Sequence, residues 1–270
     1  MASWLELPGE RGGRPGAHME TGEEIRRRRP GDELMRSGER LFYEGEFQAA
    51  AREFRGARKH DPLLFEAWAA EVEARLRAGD LPRAEETAEE ALAAYGKVPI
   101  FYAAKALVLA HQGYIEAACE HSDIAVKLHD DSGFTWLARA EVVLATGAWG
   151  TAHSVEACLE RACRADPTHW RANFRAGLAL AQWGSHERAL QRLAQVTQFV
   201  PQNPFVWKTM GDCHRALGHA AAARECYHMA LARRPGYAPA VEALEEMTLW
   251  GRLRAWAAGL LRRKSAARKP

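Results

Sequence analysis

The sequence predicts an all-α solenoid of about six helix–turn–helix repeats plus a C-terminal capping helix, and three observations predict it. First, glycines recur at 45, 79, 113, 147, 184 and 218, in steps of 34, 34, 34, 37 and 34. Second, two further ladders keep the same period with one longer step, in steps of 34, 34, 37, 34 and 34. One is of small residues, Ala57, Ala91, Ala125, Ala162 and Ala230, with Val196 as the exception, and the other is of unit ends, Pro62, Gly96, Asp130, Pro167, Pro201 and Pro235. Third, Ala, Arg, Leu and Glu dominate and β-branched residues are sparse, which favours helix throughout. A fixed period of 20–50 residues is the mark of a repeat array.

The elements follow in order. Residues 1–30 are rich in Gly, Pro and charge and read as a disordered arm ending in the basic run Arg26–Arg29. Pro30 followed by Gly31–Asp32 is a helix-start signal. The repeats then span 31–64, 65–98, 99–132, 133–169, 170–203 and 204–237. Each has a first helix, a glycine that takes the left-handed conformation to reverse the chain, and a second helix. Large residues open several first helices (Trp68, Tyr102, Trp136, Trp207), and Asn173 stands in that place in unit five. Small residues sit in their middles (Gly38, Ala106, Ala140, Gly177, Gly211), where they let the second helix approach; Val72 departs from this in unit two. The fourth unit carries three extra residues, expected around His153–Val155. Residues 238–248, with Val241, Leu244 and Met247 at helical spacing, read as the capping helix that ends the array.

Residues 249–270 form a basic amphipathic helix and tail. Leu249, Leu253, Trp256 and Leu260 make one stripe, Trp250 and Leu261 widen it, and Arg262 and Arg263 lie among its basic flanks. Three uses are open to it: packing on the solenoid, lying on an anionic membrane surface, or entering a partner's groove. The segment 248–270 carries seven basic and no acidic residues, whereas 31–247 holds 24 basic and 30 acidic residues and is net −6. An acidic body with a basic tail does not single out nucleic acid as the partner.

The pattern resembles the tetratricopeptide repeat family, W-x2-L-G-x2-Y … A-x3-F … A … P over 34 residues. Unit six carries it as Trp207, Met210, Gly211, His214, Ala223, Tyr227, Ala230 and Pro235. Unit one carries it as Leu34, Gly38, Leu41, Ala50, Phe54, Ala57 and Pro62. The resemblance covers about 31–237 and implies a right-handed superhelix whose first helices line a concave groove. The groove positions it implies are Ile100, Leu107 and His111 in unit three, and Phe134, Leu137, Glu141 and Leu144 in unit four. Unit five adds Arg171, Phe174 and Leu178, and unit six adds Phe205, Lys208 and Arg215. Lys208 is followed by Asp212 rather than Asn and no later unit completes the set, so the carboxylate clamp of some family members is not expected.

No phosphate-binding loop, dinucleotide glycine cluster, zinc-protease or nucleophile-elbow motif occurs. Cys213, His214, His219, Cys226 and His228 crowd one unit at spacings that match no standard zinc motif, and packing explains them. The odd count of five cysteines without C-x-x-C suits buried thiols in a reducing compartment. With no apolar stretch of membrane-spanning length, the expected location is cytoplasmic, with a peripheral membrane contact open through 249–270. The expected function is a non-enzymatic protein-binding scaffold, without cofactor or metal, gripping a peptide or amphipathic helix in the groove. The alternatives are an adaptor docking through the basic C-terminal helix, or the regulatory subunit of an enzyme.

Overall fold

Glycine turns pair the helices. In a computed structural model describing residues 30–128, 132–147, 152–166 and 170–248, the first pair is α1 (Pro30–Tyr43) and α2 (Phe47–His60). It is followed by α3 (Phe65–Arg77) with α4 (Leu81–Tyr95) and α5 (Pro99–Gln112) with α6 (Ile115–Lys127). Then come α7 (Gly133–Ala145) with α8 (Ala152–Ala165), α9 (Trp170–Gln182) with α10 (His186–Phe199), and α11 (Pro204–Ala216) with α12 (Ala220–Arg233). A last helix, α13 (Ala238–Met247), packs on α12 through Tyr237, Ala240 and Ala243. The described residues are thus an α-solenoid of six helix pairs and a terminal helix.

All six ladder glycines have positive φ, from 64° at Gly147 to 84° at Gly113. At Gly113 the turn satisfies two carbonyls that α5 would leave open: Gly113 N–H donates to Ala110 O (3.1 Å) and Tyr114 N–H to Leu109 O (2.9 Å). Most ladder glycines precede the next helix by two residues, but Gly147 precedes Ala152 by five. The three extra residues therefore fall in the sequence between Gly147 and Ala152 and not around His153–Val155, because α8 runs as one continuous helix from Ala152.

The small mid-helix sites set how closely each pair packs. A Cβ placed on Gly38 would stand 2.6 Å from the Phe54 ring, one on Gly177 2.8 Å from Leu193, and one on Gly211 2.5 Å from Tyr227. None of these is a distance at which atoms can sit, so glycine at these sites lets a large residue of the second helix fill the gap. Neighbouring pairs add a buried ionic join: Glu71, fully buried, lies between Arg58 of α2 and Arg75 of its own helix. Arg58 also stacks 4.0 Å over the Trp68 ring.

Units one and six meet, so the solenoid does not run as an open spiral. Unit one packs against units five and six through aromatic rings: Phe42–Phe174 at 6.3 Å, Tyr43–Trp170 at 4.8 Å, Tyr43–Phe174 at 5.1 Å and Phe47–Phe205 at 5.5 Å between centroids. Tilted and edge-on pairs of this kind contribute about 0.5–1.5 kcal/mol each beyond the area they bury. One continuous core consequently runs from Phe42 and Phe54 through Leu137, Phe174 and Leu193 to Val206. A second core, with Trp68, Phe101 and Val108, joins units two to four.

Candidate functional site

Closure changes what the first helices face. In an open array their inner side would form a groove, whereas here unit one fills much of it. Phe174 is completely buried against Phe42 and Tyr43, and Leu178 joins the same core. Phe205 packs on Phe47 and Phe174, Leu144 is half-buried against that core, and Leu107 is buried in the core of units two to four. The expected groove is therefore not open at these positions: rings of unit one occupy the volume a ligand would take at Phe174 and Phe205, and the packing of units two to four closes it at Leu107.

The C-terminal ends of the first helices are plugged by a polar cluster. Arg77 of α3 ion-pairs with Glu141 of α7 and donates to Gln182 of α9. Trp183 Nε1 donates to Glu141 Oε2 at 3.3 Å, and His111 Nε2 stands 3.5 Å from the same oxygen. Burial would raise the Glu141 carboxyl, but the Arg77 guanidinium, followed by His111, outweighs it and holds the group down at about 2. Deeper in, Arg175 Nε faces Glu73 Oε2 at 3.5 Å, an ion pair without hydrogen-bond geometry, and its guanidinium lies 5.3 Å over the Phe42 ring. Burial opposes the charge on Arg175 and the nearby carboxylate of Glu73 more than restores it. His111, Glu141 and Glu73 are thus engaged inside the protein.

At the other end the axis stays open. A cavity of about 550 Å³ lies where the N-terminal ends of α3, α5, α7 and α9 converge on α1. Its apolar wall is Met35, Phe65, Ile100, Phe134 and Leu137. Its charged members are mostly spoken for: Arg171 pairs with Glu39 (3.2 Å) and Asp166 accepts from the Ala172 N–H (2.8 Å). Glu66, exposed at the rim, makes no ion pair among the described residues. Of the groove positions expected from sequence, Ile100, Phe134, Leu137 and Arg171 line this cavity. Lys208 pairs with Asp212 (2.7 Å) and Arg215 with Glu246 of α13 (2.5 Å). The stripe from Leu249 to Arg263 and the arm before Pro30 lie outside the described residues.

Of the cysteine–histidine crowd of unit six, the two cysteines are buried, whereas His219 and His228 are exposed. Cys213 is buried, and burial pushes its thiol up to about 12; Cys226 is buried against the neighbouring helix, and burial pushes its thiol up too. Among the described residues no three His, Cys, Asp or Glu side chains form a metal-binding group, and no helix is long and apolar enough to cross a membrane.

The family model for the tetratricopeptide repeat matches residues 35–99, 69–133 and 156–204, more than half of the chain. The chain belongs to the tetratricopeptide repeat family, a family of helical scaffolds for protein–protein interaction. Among solved structures it is similar to YrrB, described as a TPR protein with an unusual peptide-binding site, at 18% identity over 72% of this chain and 99% of that one, with a TM-score of 0.41. It is similar to a tetratricopeptide repeat protein from Parabacteroides merdae ATCC 43184, at 13% identity over 80% and 86% of the two chains, with a TM-score of 0.46. TTC0263, a thermophilic TPR protein from Thermus thermophilus, matches at 18% identity over 86% and 99%, with a TM-score of 0.44. No curated protein sequence gives a significant match.

Proposed function

We propose that the chain is a non-enzymatic scaffold that holds a linear segment of a partner protein at the mouth of the axial cavity. The observation that carries this reading is the apolar cavity of about 550 Å³ with a single uncommitted carboxylate, Glu66, at its rim. Such a site takes one or two large apolar side chains, and the carboxylate favours a Lys or Arg beside them. Family membership supports protein binding in general, and the cavity supplies the chemistry of what is bound.

A phage-displayed peptide library selected on the full chain tests it. Enriched peptides are expected to share an aromatic or large aliphatic residue flanked by Lys or Arg. Glu66→Lys, a change at an exposed position, is expected to weaken them by about tenfold, the size of one favourable charge contact at an interface. Peptides that bind Glu66→Lys and Met35→Asp as well as the parent would contradict the reading.

A further inference from the structure

The seam where unit one meets units five and six also has an outer face, and its chemistry is opposite to that of the body around it. A cleft of about 830 Å³ runs along this seam. Arg36 and Arg40 of α1 stand on one side, Arg233 and Arg234 at the end of α12 on the other, with Arg171 between them. Against these five cations the cleft wall has two acids, Glu39, already paired with Arg171, and Glu44. The surrounding 31–247 segment is net −6, so a concentration of arginine here runs against the background.

Two of the arginines, Arg233 and Arg234, are held in place by contacts that leave their charge unpaired. Arg233 Nε donates to the Pro201 carbonyl (3.1 Å) and Arg234 lies 5.7 Å from the Tyr237 ring centroid. Among the described residues neither these two nor Arg40 is ion-paired. The cleft also holds an apolar contact: Phe199 is 57% exposed at its edge, and Trp170 lies in its wall. Exposed aromatic surface beside fixed guanidinium forks is the combination that captures carboxylates flanking a large apolar residue.

We propose that this seam cleft binds an acidic linear segment of a partner protein, with Phe199 and Trp170 receiving an apolar residue set between its carboxylates. Arg40 belongs to unit one and Arg234 to unit six, so the ligand bridges the seam and favours the closed form of the solenoid. This site shares Glu39, Tyr43 and Arg171 with the wall of the axial cavity but takes a ligand of opposite charge, and its test rests on Arg40 and Arg234, which line the seam cleft alone, so it does not depend on that reading.

The probe is a fluorescein-labelled peptide with a Leu-Phe pair between two runs of glutamate, titrated with the full chain and followed by anisotropy. Binding is expected to weaken with added salt and to fall by about tenfold or more when the glutamates become glutamines. Arg40→Glu and Arg234→Glu, on opposite sides of the seam, are each expected to weaken it by about tenfold, and the bound peptide is expected to raise the unfolding temperature. Glu66→Lys and Arg83→Glu, an exposed change outside the cleft, are expected to leave binding unchanged. Absence of binding, equal binding by Arg40→Glu and Arg234→Glu with helicity intact, or displacement by heparin as readily as by unlabelled peptide would each overturn the proposal.

Discussion

The side-chain amide of Asn203 donates a hydrogen bond to the backbone carbonyl of Tyr43 across 2.7 Å, joining residues 160 positions apart. Tyr43 ends α1, where carbonyls lack helical partners, and the Asn203 amide supplies one. The same residue caps α11, because its Oδ1 accepts from the Phe205 N–H at 2.9 Å. One asparagine therefore starts a helix of unit six and ties it to the end of a helix of unit one.

These two roles separate by mutation. Asn203→Asp keeps the cap acceptor and loses the donor; Asn203→Ala loses both. Urea denaturation is expected to show the aspartate variant less stable by about 1 kcal/mol and the alanine variant by roughly 2 kcal/mol. An aspartate variant as stable as the parent would mean that the bond across the seam contributes nothing.

Gly45 and Gly113 make a second comparison. Both have positive φ, 83° and 84°, so alanine at either incurs about 1–2 kcal/mol of backbone strain. A Cβ at Gly113 meets nothing within 4 Å, whereas one at Gly45 overlaps the Phe205 ring. Gly45→Ala is expected to cost about 1–3 kcal/mol more than Gly113→Ala, the added overlap being of the size of overpacking in a core. Equal losses in thermal or urea unfolding would show that unit six does not approach Gly45.

Acid unfolding should report the Glu141 cluster. Its folded pKa, about 2, lies below the ordinary value of 4.5, so the unfolded chain binds the proton more readily. The stabilisation is complete above about 4.5 and is lost as pH falls from there toward 2. Glu141→Gln is expected to be less stable than the parent at neutral pH, since it strands Arg77, and to show a shallower loss across that window. A parent and variant with parallel acid limbs would remove Glu141 from the account.

Phe174 distinguishes a packing role from a ligand-binding one. Its complete burial between Phe42, Tyr43 and Phe205 predicts that Phe174→Ala lowers stability by about 3–5 kcal/mol. Calorimetry of the variant checks this; a near-native unfolding temperature would place Phe174 on an accessible surface.

The glycine ladder made the helix pairs legible in the sequence, because a chain reversal needs a residue that accepts positive φ and the same step recurs from turn to turn. The small sites at Gly38, Gly177 and Gly211 were legible for the same reason, as each answers a large residue one helix away: Phe54, Leu193 and Tyr227. Closure was not legible. A repeat register describes each unit against its neighbours, and the angle that brings unit one to unit six accumulates from small rotations that no single motif encodes. The trace it left was local: Phe42, Tyr43 and Phe47 crowd the first turn, and Trp170, Phe174 and Phe205 crowd the openings of α9 and α11. Phe174 and Phe205 read as groove positions because nothing in the spacing says that they meet the rings of unit one. For the same reason Glu141 reads as groove charge, while Arg77, its partner in space, comes from a helix far away in sequence.

The closed solenoid is tested most directly by a double-mutant cycle on Phe47 and Phe205, whose rings stand 5.5 Å apart. In an open array, units one and six share no contact, and Phe47→Ala and Phe205→Ala must add. The closed form predicts a coupling free energy of about 0.5–1.5 kcal/mol between them by urea denaturation of the full chain. Additivity within about 0.3 kcal/mol would contradict it.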